Sequence, residues 1–499
     1  MVIVRIQNVD MLIEGDLPPD VREEIRAVMS YVVPNFKFTT AYKRAGYGKW
    51  DGTKTVALRD GKRLRAPAGL LSYLKEILNK RCIQYEVRDE RPQTVYSSGY
   101  HLDGIVLRDY QEGIVKEALK RQRGVIKAAT GSGKTLVMAS IIAQASCFPA
   151  VFYVTSCDLL EQACDYFTKY LRLNGQPVEI GRIGDGHCDI RPITIATVQS
   201  CQRALEGEYT PFDEFSQDDK TEFSENQKKQ IVDLVKNAQF VYSDEAQHVS
   251  CQTIQAILNN SHSARFRFGG SASPWRDDGL DILIEACFGR RLCDISASFL
   301  IKKGWLLRPK IIFNHFRQSL AMAANFNAHY SAYVVNNVVR NQWTAERAKF
   351  HVSEDRPVII LVKWVEHAEA LAALIPGCEI LTSSGDPQKT PRRRKELLNK
   401  MRAKELMCII GTSLLDEGVD VPAAGAGIFA GGGKSSTREL QRVGRFIRPD
   451  PADPGKEFAY IEEFYDHTKW LMHHAKTRRK ILEVEPEFEI SDNKATLAL

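Results

Sequence analysis

The sequence lacks the patterns that mark zinc-binding, secreted and disulfide-stabilised proteins. Its eleven cysteines include no C-x-x-C pair and no Cys/His cluster at the spacing of zinc ligands. Charged residues interrupt the apolar positions at the start of the chain, so no signal peptide is expected there. No short internal repeat and no low-complexity tail is visible. These absences indicate a cytosolic protein with reduced thiols.

One charge-free stretch has the length of a membrane span but not its character. Residues 136–155 contain twenty positions without a charge. Pro149 interrupts this stretch, polar side chains dilute it, and it directly follows a glycine-rich loop that carries a lysine. A buried helix followed by a buried parallel strand explains it better, so no contact with a membrane is expected.

Length and charge suggest several domains with one basic part. The chain has 499 residues, of which 44% are hydrophobic and 26% charged, as is typical of a globular protein. Of the net charge of +6, most lies in residues 1–100, which hold 17 Lys and Arg against 12 Asp and Glu. The remainder of the chain is nearly neutral.

Two series of short apolar runs alternate with helical stretches, which predicts an α/β fold with two tandem parallel-sheet lobes. The predicted strands cover residues 124–128, 150–154, 193–197, 239–243, 267–271, 357–362, 379–383, 407–412, 426–431 and 458–463. We expect a small basic α+β domain over residues 1–100, a first lobe over 101–303, and a second lobe with a C-terminal helix over 304–499. Polar residues 206–230 are expected to form a surface insertion, with a partner-binding or autoinhibitory loop as the alternative.

A glycine-rich loop follows the first predicted strand of the first lobe. Residues 128–135 read AATGSGKT, between a strand and a helix. Glycines let several backbone N–H groups point at a phosphate, and the helix dipole favours its charge. Lys134 would neutralise the β- and γ-phosphates of ATP, and the Thr135 hydroxyl would ligate Mg²⁺. The predicted phosphate-binding residues are Thr130, Gly131, Ser132, Gly133, Lys134 and Thr135.

Two adjacent carboxylates follow a later strand of the same lobe. In QFVYSDEAQH, residues 239–248, the strand ends at Ser243, which places Asp244 and Glu245 at the carboxyl edge of the sheet. Asp244 is predicted to hold Mg²⁺. Glu245 is predicted to orient or deprotonate the water that attacks ATP.

The order of these motifs resembles that of the superfamily 2 helicases and translocases. AATGSGKT, SDEAQH, SAS and QRVGRFIR follow one another as in that family, and the resemblance covers residues 105 to about 450. It implies two RecA-like lobes, ATP hydrolysis and movement on nucleic acid. By position in the motifs, it implies adenine contacts from Arg108 and Gln111, nucleotide contacts from Glu417, Gly418 and Asp420, and contacts with a nucleic-acid strand from Thr155, Gln162, Thr197, Ser200 and Thr412.

Three side chains near residue 445 could face solvent, nucleic-acid phosphate or an anion on another domain. In QRVGRFIRP, residues 441–449, a helix would place Gln441, Arg445 and Arg448 on one stripe. The resemblance implies that the stripe faces ATP on the other lobe. Arg445 and Arg448 would then act on the γ-phosphate, while Gln441 positions the water.

Details of the motifs resemble one branch of the superfamily. Gln247 departs from the last residue of the D-E-A-D and D-E-A-H boxes. SASPWRDDG, residues 271–279, is similar to the form found in UvsW-like phage helicases, XPB-type repair helicases and restriction-enzyme motor subunits. No convincing nuclease constellation accompanies it, which disfavours a restriction subunit.

The basic N-terminal segment is a second candidate nucleic-acid surface. Nine Lys and Arg lie between residues 37 and 65, interleaved with Tyr42, Tyr47 and Trp50. Cations attract the phosphate backbone, and exposed aromatic rings stack on unpaired bases. An ordinary basic face with Trp50 in a small core is the alternative. The predicted DNA contacts are Lys43, Arg44, Trp50, Lys62, Arg63 and Arg65.

These observations predict an ATP- and Mg²⁺-dependent DNA helicase or translocase. Its expected work is fork regression, Holliday-junction branch migration, unwinding or annealing in recombination and repair. Branched, duplex or single-stranded DNA is the expected partner of a monomer in a bacterial cytoplasm or a phage-infected cell, together with recombination or replication proteins. Two alternatives remain at this point, which are an RNA helicase and an ATP-gated nucleic-acid clamp with little turnover.

Overall fold

The computed structural model of the protein divides into two compact units. It describes residues 1–46, 49–206, 221–250, 252–272, 279–317, 325–382, 390–412, 424–433, 436–450 and 453–498. The first unit comprises Met1–Ala128 and Gly133–Asp294, and the second comprises Ala129–Ser132 and Ile295–Leu499. Both contain a mainly parallel sheet, and the first also contains a small α+β domain. The predicted α/β fold is therefore confirmed.

The N-terminal part of the first unit is a five-stranded sheet with helices on one face. The strands are β1 (Val2–Ile6), β2 (Asp10–Glu14), β3 (Ser30–Val32), β4 (Thr53–Thr55), β5 (Leu58–Asp60), β6 (Arg63–Pro67) and β7 (Tyr85–Asp89). The helices are α1 (Pro19–Val28), α2 (Thr40–Arg44) and α3 (Leu71–Lys80). The sheet has the order β5-β6-β2-β1-β7, while β3 and β4 pair separately. Along β6, Leu64 and Ala66 are buried and Arg63 and Arg65 are exposed, so the sheet keeps one face in solvent.

The remainder of the first unit is organised around an eight-stranded sheet. The strands are β8 (Tyr100–Leu102), β9 (Arg123–Ala128), β10 (Ala150–Val154), β11 (Leu171–Leu173), β12 (Gln176–Pro177), β13 (Gly181–Gly184), β14 (His187–Asp189), β15 (Ile193–Thr197), β16 (Phe240–Ser243), β17 (Phe266–Ser271) and β18 (Arg291–Ile295). The helices are α4 (Asp109–Arg121), α5 (Lys134–Ala145), α6 (Cys157–Tyr170), α7 (Val198–Glu206), α8 (Glu225–Asn237), α9 (Gln252–Asn260) and α10 (Asp281–Phe288). The sheet order is β14-β13-β15-β10-β16-β17-β9-β18, and β8, β11 and β12 form a separate small sheet.

The charge-free residues 136–155 are divided between helix α5 and strand β10, as the sequence predicted. Both elements lie in the interior, and every residue of β10 is buried. A parallel sheet covered by helices on both faces explains why neither element needs a polar face. In the described part of the chain, we find no helix whose length and hydrophobicity would suit a bilayer.

The second unit is a seven-stranded sheet in which every strand pair is parallel. The strands are β19 (Arg308–Arg317), β20 (Val358–Leu361), β21 (Glu379–Leu381), β22 (Cys408–Gly411), β23 (Ala426–Ile428), β24 (Phe458–Asp466) and β25 (Glu489–Ala498). The helices are α11 (Ala297–Lys302), α12 (Phe326–Tyr330), α13 (Val338–Ser353), α14 (Val365–Ala372), α15 (Thr390–Arg402), α16 (Ser436–Phe446) and α17 (Lys469–Leu482). The sheet order is β21-β22-β20-β23-β24-β19-β25.

Strand β24 carries three buried acids, each paired with its own arginine. Glu462 lies 2.5 Å from Arg347, Glu463 lies 3.0 Å from Arg478, and Asp466 lies 3.0 Å from Arg340. A carboxylate buried without a partner costs several kcal/mol on the usual scale of such penalties, so these pairs are a condition for β24 to occupy the interior. The cations come from helices α13 and α17, which are thereby held against the sheet.

Within the first unit, the N-terminal domain packs against helix α10 through a close backbone approach. A Cβ atom on Gly69 would lie 2.1 Å from the Glu285 carbonyl oxygen, so only glycine fits this position. Beside it, the Arg290 guanidinium donates two hydrogen bonds to Glu76, at 2.5 and 2.7 Å, and lies 4.3 Å from the Tyr73 ring centroid. Together these contacts join the basic domain to the large sheet.

We predict that Gly69→Ala destabilises the protein, because backbone atoms on the facing helix cannot move aside as a side chain would. Overpacking of this kind costs about 1–3 kcal/mol. Gly113→Ala is the matched control, since Gly113 lies in α4 with nothing within 4 Å of its Cβ position, and alanine there favours the helix. Urea unfolding of the full chain should show a lower midpoint for Gly69→Ala alone. Equal midpoints for the two variants would contradict the close packing.

Candidate nucleotide and nucleic-acid site

The candidate residues around the eight-stranded sheet converge because they follow its neighbouring parallel strands. The order β15-β10-β16-β17-β9 places five loops side by side at the carboxyl edge of the sheet. The phosphate loop follows β9, the carboxylate pair follows β16, and Thr155 follows β10. Ser271 ends β17, between the phosphate loop and the carboxylates, and Thr197 ends β15. This edge is where ligands bind in open α/β sheets.

The phosphate loop has the expected strand–loop–helix form. Lys134 begins α5, and its ammonium group donates to the Ala128 carbonyl oxygen at 2.9 Å. Gly131 and Gly133 both have positive φ, at 82° and 79°, which favours glycine at these positions. The loop residues Thr130 and Gly131 and the helix residue Thr135 are half-buried, whereas Ser132 is buried.

Gln111 lies directly against this loop. A Cβ atom on Gly133 would lie 2.5 Å from Gln111 Nε2, so the glycine leaves room for the amide. The Oε1 atom of Gln111 accepts a hydrogen bond from the Arg108 backbone N–H at 2.9 Å, which fixes the start of α4. Arg108 and Gln111, which the sequence pairs with adenine, are thus positioned by the loop and helix together.

The carboxylate pair is half-buried, and Asp244 lies near enough to Lys134 of the phosphate loop to feel its charge. Tyr242 donates a hydrogen bond to Asp244 Oδ1 at 3.1 Å. Burial, together with the neighbouring charge of Glu245, raises the pKa of Asp244 to about 6, while the Lys134 ammonium group opposes this rise. Hydroxyl and carboxylate oxygens such as those of Thr135 and Asp244 suit Mg²⁺, whose charge would offset the repulsion between the two acids.

Glu245 has an unusual backbone and a fixed side chain. Its φ of 51° lies in the left-handed region, which is uncommon for a residue with a side chain and is found preferentially at functional sites. Gln247 Nε2 donates to Glu245 Oε2 at 2.7 Å, and the Ser271 hydroxyl donates to Gln247 Oε1 at 2.5 Å. Ser271 therefore sets the orientation of the Gln247 amide, and that amide holds Glu245.

Most of the residues that the resemblance pairs with a nucleic-acid strand are buried. Thr155, Thr197, Ser200 and Thr412 are all less than one-tenth exposed, and only Gln162, on α6, is exposed. The Thr197 hydroxyl accepts the Ser200 N–H at 3.3 Å, so it caps α7. Thr197 therefore supports the start of a helix, all four side chains lie inside the structure, and Gln162 is the candidate that solvent reaches.

The arginine stripe of the second unit is shorter than predicted. Helix α16 carries Gln441 and Arg445, both partly exposed, but it ends at Phe446. Arg448 lies in the turn beyond it, so the prediction of three residues on one helical stripe is wrong. Pro449 explains the difference, because a proline disfavours the helical conformation of the residue before it. Tyr47, Glu417, Gly418 and Asp420 lie outside the described residues.

Sequence reasoning missed Glu439, which attaches helix α16 to the sheet. Glu439 is 1% exposed, and its Oε2 lies 3.7 Å from the Arg442 guanidinium of the same helix. Burial, and then the charge of Glu463 on β24, raise the pKa of Glu439 well above its ordinary value. A protonated Glu439 can donate to Glu463, whose other oxygen is held by Arg478. The Glu439 carboxyl of the arginine-bearing helix thus lies close enough to Glu463 of β24 for their charges to interact.

The basic N-terminal segment is exposed, but part of its charge is already paired. Lys43, Arg44 and Lys62 lie in solvent. Arg63 is 3.2 Å from Glu14, and Arg65 is 3.7 Å from Asp60. These two arginines therefore face carboxylates of their own sheet.

The aromatic residues of this segment differ in exposure. Trp50 donates to the Thr53 carbonyl oxygen at 2.8 Å, and its ring packs against Phe36 at 5.9 Å between centroids. The alternative prediction of a small core around Trp50 therefore describes its packing. Phe38, which sequence reasoning did not single out, is 83% exposed between Lys37 and the basic helix α2. The sequence could not have identified Phe38, because the same residue type two positions earlier, Phe36, is partly buried.

Two family models match the chain in the order of the motifs. The model for the type III restriction enzyme res subunit matches residues 104–276, and the helicase conserved C-terminal domain matches residues 341–450. Together they cover more than half of the chain. The chain belongs to the superfamily 2 helicases and translocases. It is therefore an ATP-dependent helicase-family ATPase built from two RecA-like lobes.

Relatives in the same superfamily include viral and archaeal proteins. Helicase 22 of Sulfolobus islandicus filamentous virus is 24% identical over 403 residues, which cover 75% of this chain and 67% of the viral protein. The DNA 3'-5' translocase XPB2 of Sulfurisphaera tokodaii is 26% identical over 388 residues, covering 69% of this chain and 79% of XPB2. The crystal structure of T4 UvsW aligns with 99% of both chains at 18% identity and a TM-score of 0.44.

We predict that Gln247→Glu lowers the ATPase turnover of this superfamily 2 enzyme by about 10-fold or more, because it replaces the donor to Glu245 with a like charge. Ser271→Ala should cause a smaller fall, since the amide of Gln247 stays but loses the hydroxyl that orients it. Gln230→Glu, at an exposed position on α8, makes the same chemical change and is the control. Steady-state ATP hydrolysis compares the three variants, and equal turnover for Gln247→Glu and wild type would exclude the positioning role.

A second prediction concerns the pH dependence of stability at Glu439. Folding raises the pKa of Glu439 above its unfolded-state value of 4.5. The protonated carboxyl therefore contributes its full stabilisation below pH 4.5, and this stabilisation is lost as the pH rises through the folded-state pKa. Glu439→Gln keeps a donor toward Glu463 and cannot ionise. The melting temperature of Glu439→Gln relative to wild type should therefore increase between pH 5 and pH 8. A difference that stays constant with pH would show that Glu439 is not protonated in the folded state. Glu439→Ala, which lacks the donor, should be destabilised throughout.

Proposed function

We propose that this ATPase is a DNA translocase that remodels branched DNA, by fork regression, branch migration, unwinding or annealing. The observation that carries the proposal is that the phosphate loop and the carboxylate pair lie at one edge of the large sheet, in a unit that also carries the exposed basic domain. The DNA-directed activity in the name of the archaeal relative supports DNA as the substrate. The resemblance of residues 271–279 to UvsW-like and XPB-type helicases supports a role in recombination or repair.

The first unit would bind ATP through residues at the carboxyl edge of its large sheet. Lys134 neutralises the β- and γ-phosphates, and Gln111 with Arg108 contacts the adenine ring. Thr135 and Asp244 would hold Mg²⁺, which supplies positive charge against the phosphate oxygens when bound. Glu245 orients the attacking water and accepts its proton, and the Gln247 amide keeps the carboxylate in place.

In the second unit, Gln441, Arg445 and Arg448 act on the reacting phosphate. An arginine beside the γ-phosphate stabilises the charge that develops in the transition state. Arg445 is on helix α16 and Arg448 lies in the turn beyond it, so the two guanidinium groups are carried by different backbone elements. The buried Glu439 on α16 would help to fix the position of the helix that carries Arg445 by donating to Glu463 when it is protonated.

The DNA contacts would come from the exposed cations of the N-terminal domain and from Gln162. Lys43, Arg44 and Lys62 attract the phosphate backbone, and the exposed Phe38 ring can stack on an unpaired base at a junction. Arg63 and Arg65 contribute once they leave Glu14 and Asp60. Trp50 supports this surface through its contact with Phe36.

Steady-state ATPase with a panel of nucleic acids tests the proposal. Single-stranded DNA, duplex, three-way fork, four-way junction and single-stranded RNA are compared at one fixed salt concentration, because salt changes every affinity. The branched DNAs should stimulate turnover most, and Lys134→Ala should abolish it, whereas Lys120→Ala on the exposed face of α4 should not. Strongest stimulation by RNA would assign an RNA substrate. Nucleotide-dependent binding with almost no turnover would indicate a clamp.

A further inference from the structure

We infer that the second unit contains a separate binding surface for single-stranded nucleic acid, built from aromatic rings and lysines. This ring cluster consists of Phe326, Trp364, Trp470 and His474, with Lys363 and Lys469 at its margin. The inference rests on the proposed function, because it assumes that the protein binds nucleic acid and adds one more contact for the bound strand. None of these residues belongs to the motifs described above.

The rings come from three distant segments and meet on the surface. The ring centroids of Phe326 and His474 lie 5.5 Å apart, and those of Phe326 and Trp470 lie 6.4 Å apart. Below them, Tyr330 is buried, donates to the Gly431 carbonyl oxygen at 2.6 Å, and contacts Trp364 at 5.0 Å between centroids. The four rings of the cluster are only half-buried, so each keeps part of its surface in solvent. Stacking on a nucleobase requires rings that are held rigidly from below and are partly exposed to solvent, as these are.

The charge around the rings favours a polyanion. The Lys363 ammonium group lies 5.7 Å from the Phe326 centroid and 5.4 Å from that of Tyr330, and Lys469 lies 5.5 Å from Trp470. Both lysines are exposed. The segments that form the cluster, residues 325–337, 362–365 and 469–477, contain no Asp or Glu. The acids next to them in the sequence are Glu366 on α14 and the buried Asp466, which is paired with Arg340. An apolar protein partner would not select for this combination, whereas unpaired nucleotides offer both bases and phosphates.

The cluster lies at the same sheet edge as Thr412, a residue that the resemblance pairs with the nucleic-acid strand and that is buried in this structure. Lys363 and Trp364 follow β20, and Thr412 follows β22, which pairs with β20 in parallel. The Val362 N–H donates to the Gly411 carbonyl oxygen at 2.9 Å, so the two chain segments leave the sheet side by side. A strand passing the end of β22 therefore has the ring cluster one strand further along the same edge. This places the cluster where single-stranded nucleic acid would be held during movement.

Binding of fluorescein-labelled oligo(dT) to the full-length protein without nucleotide tests the inference. Loss of one stacking contact weakens binding by about 5- to 150-fold, so Trp470→Leu and Phe326→Leu should fall in this range. Trp470→Phe keeps a ring and should bind within about threefold of wild type. Lys363→Gln should reduce the slope of log Kd against log salt by about 0.7, the value for one phosphate contact on a single strand.

The outcomes separate this surface from the proposed function. If no nucleic acid stimulates the wild-type ATPase, the proposed function fails whatever the ring variants show. If single-stranded DNA stimulates the wild type and the two leucine variants bind oligo(dT) like wild type at unchanged melting temperature, the ring cluster is not a binding surface. An equal loss of affinity for blunt duplex would overturn base stacking. If a leucine variant fails to fold, an unchanged salt slope for Lys363→Gln, at an exposed position, overturns the inference by itself.

Discussion

All strands of a parallel sheet end at the same edge, and this constraint determines where both units carry their chemistry. In the first unit it brings together loops that are more than 100 residues apart, from Lys134 after β9 to Asp244 after β16. In the second it aligns the ends of β20, β22 and β23. The cost is that the backbone must turn sharply at these ends. The positive φ angles of Gly131, Gly133 and Glu245 result from these sharp turns.

The interior of the second unit depends on charge compensation as much as on apolar packing. Strand β24 sits in the middle of the sheet although it carries Glu462, Glu463 and Asp466, and each is held by an arginine from a covering helix. The same arginines reach the loop after β23, since Arg340 donates to the Ala430 carbonyl oxygen and Arg478 to that of Gly433. Buried pairs of this kind give little net stability, but they fix the geometry of the elements they join.

Sequence patterns predicted the architecture because apolar runs and motif spacing are local. The strands at 150–154 and 193–197 were predicted to the residue, since each consists of apolar or small β-branched side chains and is buried at every position. What could not be predicted depends on distant partners. Ser271 orients an amide 24 positions earlier, and the acids at the end of β24 resemble a solvent-facing strand until their arginines are known. The roles of individual site residues rest on motif position, and the structure describes their surroundings.

The paired arginines of the N-terminal sheet have a consequence for the kinetics of the DNA contact that we propose for them. Arg5 and Arg63 both neighbour Glu14, and Arg65 neighbours Asp60, so each guanidinium already has a counter-charge of the same fold. When a phosphate binds at this face, the arginine exchanges its carboxylate partner for the phosphate. The free energy gained per contact is therefore smaller than for a cation without a partner. Such a contact dissociates quickly, because the original carboxylate competes for the arginine at once. If this face binds DNA as we propose, a surface that releases each phosphate as readily as it captures the next would allow DNA to slide past it.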